Sequence, residues 1–230
     1  MKPTEDITEK IWNTIAESFD STRKKPWQQV LSFVSSHASV DCLVDIGCGN
    51  GRHLIPSSSY AHHCIGIDFS RSLLKITKKH IASSKPNISL IHASARKIPL
   101  GDSTVDILLY IASLHNIYGR NNRIQSLKEV ARVLKPEGNA LITVWSKHQP
   151  QFTQQLKQSR KIMDLENGDI YIYWRQHNLN IPRYYHLYDK EEFINDIQES
   201  SLALIEYEEI TFGSKIRKDN YIAIVQRRET

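Results

Sequence analysis

Along residues 5–20 the apolar side chains Ile7, Ile11, Trp12, Ile15 and Phe19 recur at spacings of three and four, the signature of an amphipathic helix. A polar, basic stretch, FDSTRKKPW, follows, and a second apolar group (Val30, Leu31, Phe33, Val34) leads to Ser35 and Ser36. From residue 42 the chain alternates. Short β-branched or apolar runs at 42–46, 64–68, 88–92, 105–111 and 139–145 predict strands, and helical spacing fills the gaps between them. In RIQSLKEVARVL, Ile124, Leu127, Val130, Val133 and Leu134 share one face, and KPEGN stops that helix with a proline and a glycine. Strand and helix in this rhythm predict a parallel sheet covered on both faces. Residues 147–185 are polar and aromatic, with YIYWRQ and RYYHLYD but no strand rhythm, and LALIEYEEI and NYIAIVQR read as a final antiparallel pair. The expectation is one α/β domain with a mostly parallel, seven-stranded sheet. Residues 1–40 form a helical start, 41–146 the core, 147–187 an insertion before the last two strands, and 188–230 the part that closes the sheet.

Composition narrows this only slightly. The 230 residues are 40% hydrophobic and 24% charged, which suits one sizeable domain. No apolar run is long enough for a membrane span, and MKPTEDITEK lacks the charged head and apolar core of a secretory signal. Cys42, Cys48 and Cys64 make no CxxC pair, so neither a disulfide scaffold nor a zinc site is expected, and a reducing, cytoplasmic setting is. A net charge of +5 suits an anionic partner, but many enzymes are equally basic.

The stretch LVDIGCGNGRH changes the picture. A strand runs into Gly47, Gly49 and Gly51, a spacing that is neither the G-x-G-x-x-G of dinucleotide sites nor a P-loop, since no Gly-Lys-Ser/Thr follows. Glycines there still let a ligand approach the backbone N–H groups at the end of a parallel strand. Asp45 stands where it can accept from a cationic amine or anchor the loop. Asp68 ends the next strand, in CIGIDFS, where an acid can accept from both hydroxyls of a ribose.

Taken in order, VDIGCGNGRH, IGIDFS, SARKIP, VDILLYIASLHNI and EVARVLKPEGNALI resemble the motifs of class I S-adenosylmethionine-dependent methyltransferases, over roughly residues 40 to 146. The resemblance implies a Rossmann-like fold with S-adenosylmethionine across Gly47, Gly49 and Gly51, its ribose on Asp68, and Ser94, Ala95 and Ile111 bordering the rest. Ser94 departs from the class, which often has an acid at that position. Three further stretches, STRKKPW, SLHNIYGRNNR and PRYYHLY, together with DNYIAI, resemble the tRNA methyltransferases that esterify a carboxymethyl group on the wobble uridine.

That second resemblance implies a carboxylate acceptor, which is nucleophilic at neutral pH without a base, so that alignment and exclusion of water suffice for catalysis. Arg23, His115 and Arg183 are the candidates to orient it, with Lys25, Tyr184, Tyr185 and His186 available to hold the base. The family often carries a second histidine beside the first; here Asn116 stands in its place. It also implies a small zinc-ribbon activator as a separate chain, docked near the edge at 88–92. Arg23, Lys24, Lys25, Arg120, Arg123, Lys147, Lys157, Arg160, Lys161 and Arg175 are candidate tRNA contacts. Trp27, Trp145 and Trp174 read as core or interface, and Asp102 and Asp106 as structural. Two rivals remain open: a methyltransferase acting on a small quinone precursor or organic acid, and a non-catalytic scaffold that keeps the fold.

Overall fold

The computed structural model describes residues 3–37, 39–82, 87–159, 165–211 and 219–228. The chain order is α1 (Glu5–Thr22), α2 (Gln28–Ser35), β1 (Val40–Ile46), α3 (Leu54–Ser57), β2 (Ala61–Asp68), α4 (Arg71–Ala82), β3 (Ile88–His92), β4 (Val105–Ile111), α5 (Arg120–Val133) and β5 (Leu134–Trp145). It continues with α6 (Thr153–Ser159), β6 (Asp169–Trp174), β7 (Ile181–His186), α7 (Lys190–Glu199), β8 (Leu202–Ile210) and β9 (Asn220–Arg227). Seven strands form one sheet in the order β3-β2-β1-β4-β5-β9-β8. Only β9 runs against its neighbours β5 and β8; the other pairings are parallel. This is the expected Rossmann-like class I methyltransferase architecture.

The central strands are buried on both faces, which is why residues 43–46 of β1 and 107–111 of β4 read as apolar runs, interrupted only by the buried Asp45, rather than as alternating ones. On one face Leu127, Val130 and Val133 of α5 and Phe193 and Ile197 of α7 pack on Val44, Leu108 and Ile142. On the other, Val30, Phe33 and Val34 of α2 pack with Leu43, Leu109 and Ile222. Each fully buried aliphatic side chain contributes roughly 1.5–3 kcal/mol. Asp106 accepts from the Cys42 N–H and from Lys135, and Asp102 pairs with Arg132, so both acids tie elements together. Among the described residues no helix is long and apolar enough to cross a membrane.

Two elements sit off this frame. Helix α1, whose N-terminus is capped by Thr4 accepting from the Ile7 N–H, lies across the carboxyl ends of the strands. It is held there by Asn13, which accepts from the Ser70 hydroxyl at 2.8 Å and the Ser72 N–H at 3.0 Å, and by Asp20, which accepts from Asn50 at 2.9 Å. The insertion, expected to lack strands, instead contains an antiparallel hairpin of β6 and β7. The strand rhythm is hidden because Arg183, Tyr184, Tyr185 and His186 are all buried and each face of β7 pairs a charged or polar residue with a tyrosine, so no polar–apolar alternation marks it.

Candidate active site

In the parallel part of the sheet the strand order reverses between β1 and β4, and a cleft of about 1090 Å³ opens there, at the strands' carboxyl ends. The glycine turn forms its floor. Gly47, Gly49 and Gly51 have φ of +67°, +57° and +80°, a region L side chains rarely adopt. A Cβ on Gly47 would lie 1.9 Å from Ser113 Oγ, and one on Gly51 2.7 Å from Thr77 Cγ2. Gly49 is different: its Cβ would meet nothing nearer than Phe19 of α1 at 3.6 Å, so the middle of the turn faces open space under the helix. The Gly47 and Cys48 N–H groups donate to the Ile67 carbonyl, and Thr77 donates to the Gly49 carbonyl at 2.6 Å.

Asp68 locks this turn to the next strand. Its two carboxylate oxygens accept from the Gly49 N–H at 2.9 Å and the Ser70 N–H at 2.7 Å, and its side chain stands on the cleft wall. Burial pushes its carboxyl up to about 6, against the pull of those backbone donors. Asp45 does not reach the wall. It is buried behind the turn, one oxygen has no hydrogen-bond partner, and burial with the neighbouring Asp68 charge pushes its carboxyl up to about 8. Of the two roles read for Asp45, a contact to a cationic amine or an anchor for the loop, the first is corrected: Asp45 stands behind the turn, as does Gly51, which packs on Thr77 and Ile55. Ser94, Ala95 and Ile111 do line the cleft.

At the opposite end the cleft is walled by β7, β5 and the 3-10 turn after β4. His115, in that turn, accepts the Trp145 N–H on Nδ1 at 3.0 Å. In the neutral ring the proton then sits on Nε2, which is buried and has no partner. Burial, with the charges of His186 and Arg183, drops the ring to about 3, so it stays neutral. Arg183 lies over Trp174 (4.7 Å), Tyr185 (5.0 Å) and Trp12 (5.8 Å), donates to the Tyr185 hydroxyl, and keeps its Nε unpartnered. Burial lowers its pKa from the ordinary guanidinium value. Tyr185 stacks on Trp145 at 4.9 Å, with the rings 3° from parallel. Arg23 and Lys25 are exposed on the rim, with Arg23 over Trp174 at 5.6 Å.

Tyr184 and His186 are not in the cleft, contrary to the sequence reading. Successive residues of a strand face opposite ways, so Arg183 and Tyr185 turn to the cleft and their neighbours turn away. Tyr184 donates to Asp169 at 2.6 Å. His186 holds Asp169 at 2.7 Å and Glu192 at 2.9 Å on its two ring nitrogens. Burial opposes charge on that ring, but the two carboxylates outweigh it and raise its pKa. Arg123 is buried against Glu166 in the same network; Arg120 pairs with Asp196 and Glu199, and Lys147 with Asp189. Those three are therefore structural rather than free phosphate contacts. Lys24, Lys157 and Arg175 are exposed; Arg160 and Lys161 lie outside the described residues.

Several cleft residues were missed by the sequence reading. Asn220 is buried with its Oδ1 unpartnered, and only the DNYIAI resemblance hinted at it. Arg52 reaches the wall over Trp27 at 5.2 Å. Glu5, Trp12 and Phe19 line the cleft from α1, and a helical period alone could not say which neighbour they face.

The chain matches the methyltransferase domain family over residues 44–142. It is 32% identical over 150 residues to the tRNA (carboxymethyluridine(34)-5-O)-methyltransferase of Mus musculus, covering 65% of this chain but only 21% of that protein's length. It is 30% identical over 219 residues to the tRNA (carboxymethyluridine(34)-5-O)-methyltransferase of Schizosaccharomyces pombe, covering 85% of this chain and 88% of the relative. In fold it matches a chain of the complex between the Haloferax volcanii Trm112 methyltransferase activator and the putative methyltransferase. The TM-score is 0.70 at 13% identity, over 97% of this chain and 98% of that one. The cofactor is S-adenosylmethionine, and the open glycine turn beside a cleft-facing Asp68 suits its methionine and ribose parts. The chain belongs to the family of class I S-adenosylmethionine-dependent methyltransferases that includes the tRNA (carboxymethyluridine(34)-5-O)-methyltransferases.

Proposed function

We propose that this protein esterifies a carboxylate, and that the carboxylate is the carboxymethyl group on the wobble uridine of tRNA, which becomes the methoxycarbonylmethyl form. The observation that carries the reading is the pair of buried donors, His115 Nε2–H and Arg183 Nε, left without acceptors on the wall of one cleft. A buried donor without a partner costs about 1–3 kcal/mol, so two in one chamber are organised for an anion that arrives. That the mouse and fission-yeast relatives are named as carboxymethyluridine methyltransferases supports this choice of anion.

S-adenosylmethionine brings an electrophilic methyl on a sulfonium, and a carboxylate that takes it gives up no proton and needs no base. The work left to the chain is positioning. Arg183 offers a planar fork whose orientation is set by Trp174 and Tyr185, His115 offers one fixed N–H, and the Trp145–Tyr185 stack excludes water. Arg23 and Lys25, exposed on the rim, are our candidates to meet the incoming tRNA. We assign Gly47 and Gly49 to the methionine part, with Gly51 shaping the turn behind them against Thr77 and Ile55, Asp68 to the ribose, and Ala95 and Ile111 to the adenine surroundings. A zinc-ribbon activator is the proposed partner, at the β3 edge, where Ile88, Leu90 and Ile91 are only half-buried.

The test is transfer of labelled methyl to tRNA carrying 5-carboxymethyluridine at the wobble position, with and without the activator, against tRNA lacking the modification. Base-labile label on the modified tRNA alone is the expected result. No label with the activator present and cofactor bound would shift the assignment to a small carboxylic acid.

The role of His115 as donor has its own test. Single-turnover rates at saturating cofactor are expected to stay flat from pH 6 to 8, because the ring is neutral throughout; a titration near pH 6.5 under those conditions would contradict this. His115→Gln, which keeps an N–H donor, is expected to lose about tenfold, and His115→Ala about a hundredfold.

A further inference from the structure

We propose that Glu5, in the first turn of α1, is a specificity residue for the cofactor's nucleobase and accepts a hydrogen bond from the exocyclic amine of adenine. This rests on the ribose lying at Asp68 and is independent of the methyl acceptor. The next strand outward from Asp68 is β3, and the residues after it, Ala93 to Arg96, line the same cleft. The nucleobase therefore lies between them and α1. Adenine presents an N–H donor there and needs an acceptor. Among the described residues, the carboxylates on the cleft wall are Glu5, Asp68 and Asp219. Asp68 is engaged with the turn and the ribose, and Asp219 is at the far end beside Asn220, which leaves Glu5 as the carboxylate at this end of the cleft.

Glu5 is held for this task from the body of the domain. Its Oε1 accepts from the Ser94 hydroxyl and from Arg96 Nε at 2.8 Å, and its Oε2 pairs with the other arm of that guanidinium at 2.6 Å. Arg96 is itself fixed by donating to Asn122 at 2.8 Å. An ionised carboxylate has about four acceptor sites, so these donors leave one free. The hydrogen bond from Arg96 keeps the carboxyl below its ordinary pKa, so it stays an acceptor at neutral pH. The result is an acid delivered to the end of β3 by a helix from elsewhere in the chain, docked on the serine at that position.

A plain helix clip would make the same contacts with Ser94 and Arg96, so the experiment must separate clip from reader. Calorimetric affinities of the full-length protein for S-adenosylhomocysteine and S-inosylhomocysteine do this, because the second replaces the amine by a carbonyl oxygen. The wild-type protein is expected to favour the adenosyl compound by about tenfold or more, the value of one charge-assisted hydrogen bond. Glu5→Gln keeps an acceptor for Ser94 but can turn its amide donor towards the carbonyl, and is expected to narrow the preference to about twofold. Glu9→Gln, which removes the α1 contacts to His92 and Arg71 away from the cleft, should leave the ratio unchanged. An unchanged ratio in Glu5→Gln, whether or not both affinities fall, would reduce Glu5 to a clip and overturn the proposal.

Discussion

Arg183→Ala is expected to lower methyl transfer by about 10²–10³-fold while leaving cofactor affinity within about threefold, because the lost group acts on the charge that reacts rather than on the cofactor. The residue is only 8% exposed, and its surroundings are Trp12, Trp174 and Tyr185, none of which can replace its charge. Truncation also leaves a cavity among those rings and takes a donor from the Tyr185 hydroxyl, so some loss of stability should accompany it. Arg183→Lys separates the two effects. It keeps the charge and much of the volume but not the planar fork, and is expected to recover stability while remaining at least about tenfold slow. Single-turnover methylation, cofactor titration and thermal melting together provide the check. Equal losses of rate and cofactor affinity would move Arg183 from the acceptor to the cofactor.

Asp68→Ala should have the opposite profile. Cofactor affinity is expected to fall by about 30- to 300-fold, since the ribose acceptor is lost and the Gly49 and Ser70 N–H groups lose their partner at about 1–3 kcal/mol each. Asp68→Asn should be only partly protective, because one carboxamide oxygen cannot replace two carboxylate oxygens facing separate donors. Ligand-free stability should change less than affinity. The folded-state pKa of Asp68, raised from 3.8 to about 6, exceeds its unfolded value, so its contribution is present below about pH 3.8 and is lost as pH rises through about 6. At neutral pH the buried charge thus offsets part of what its hydrogen bonds contribute. Cofactor affinity, which needs the ionised acceptor, should instead rise with pH through about 6, and Asp68→Asn should flatten that rise. Calorimetric titrations from pH 5 to 8 would establish both.

Much of this protein is legible from local pattern. The strands β1 to β5 follow from short, mostly apolar runs, because burial of the central strands on both faces leaves few polar residues in them, such as Asp45 and Thr143. The glycine turn follows from residue type: Gly47, Gly49 and Gly51 all take positive φ, which a Cβ disfavours. Asp68 is legible because it ends the strand next to that turn. What misled the reading was direction and partnership. Tyr184, Tyr185 and His186 are adjacent in RYYHLY and look like one aromatic cluster, but strand pleating sends Tyr185 to the cleft and the other two into the Asp169 network. Arg123 looks like any surface base, yet its side chain is fully buried against Glu166, 43 residues away in the chain.

The sequence by itself determined the sheet core, the glycine turn, the acid at Asp68 and the membership of a methyltransferase family, because each depends on neighbours within a few residues. Tertiary structure alone decided which side chains share the cleft. It brought Glu5 to Ser94 across 89 positions, set the Trp145 N–H on His115, and turned Arg183 inward under α1. Contacts of that kind come from how elements stack on the sheet, and no short stretch of the chain encodes both partners.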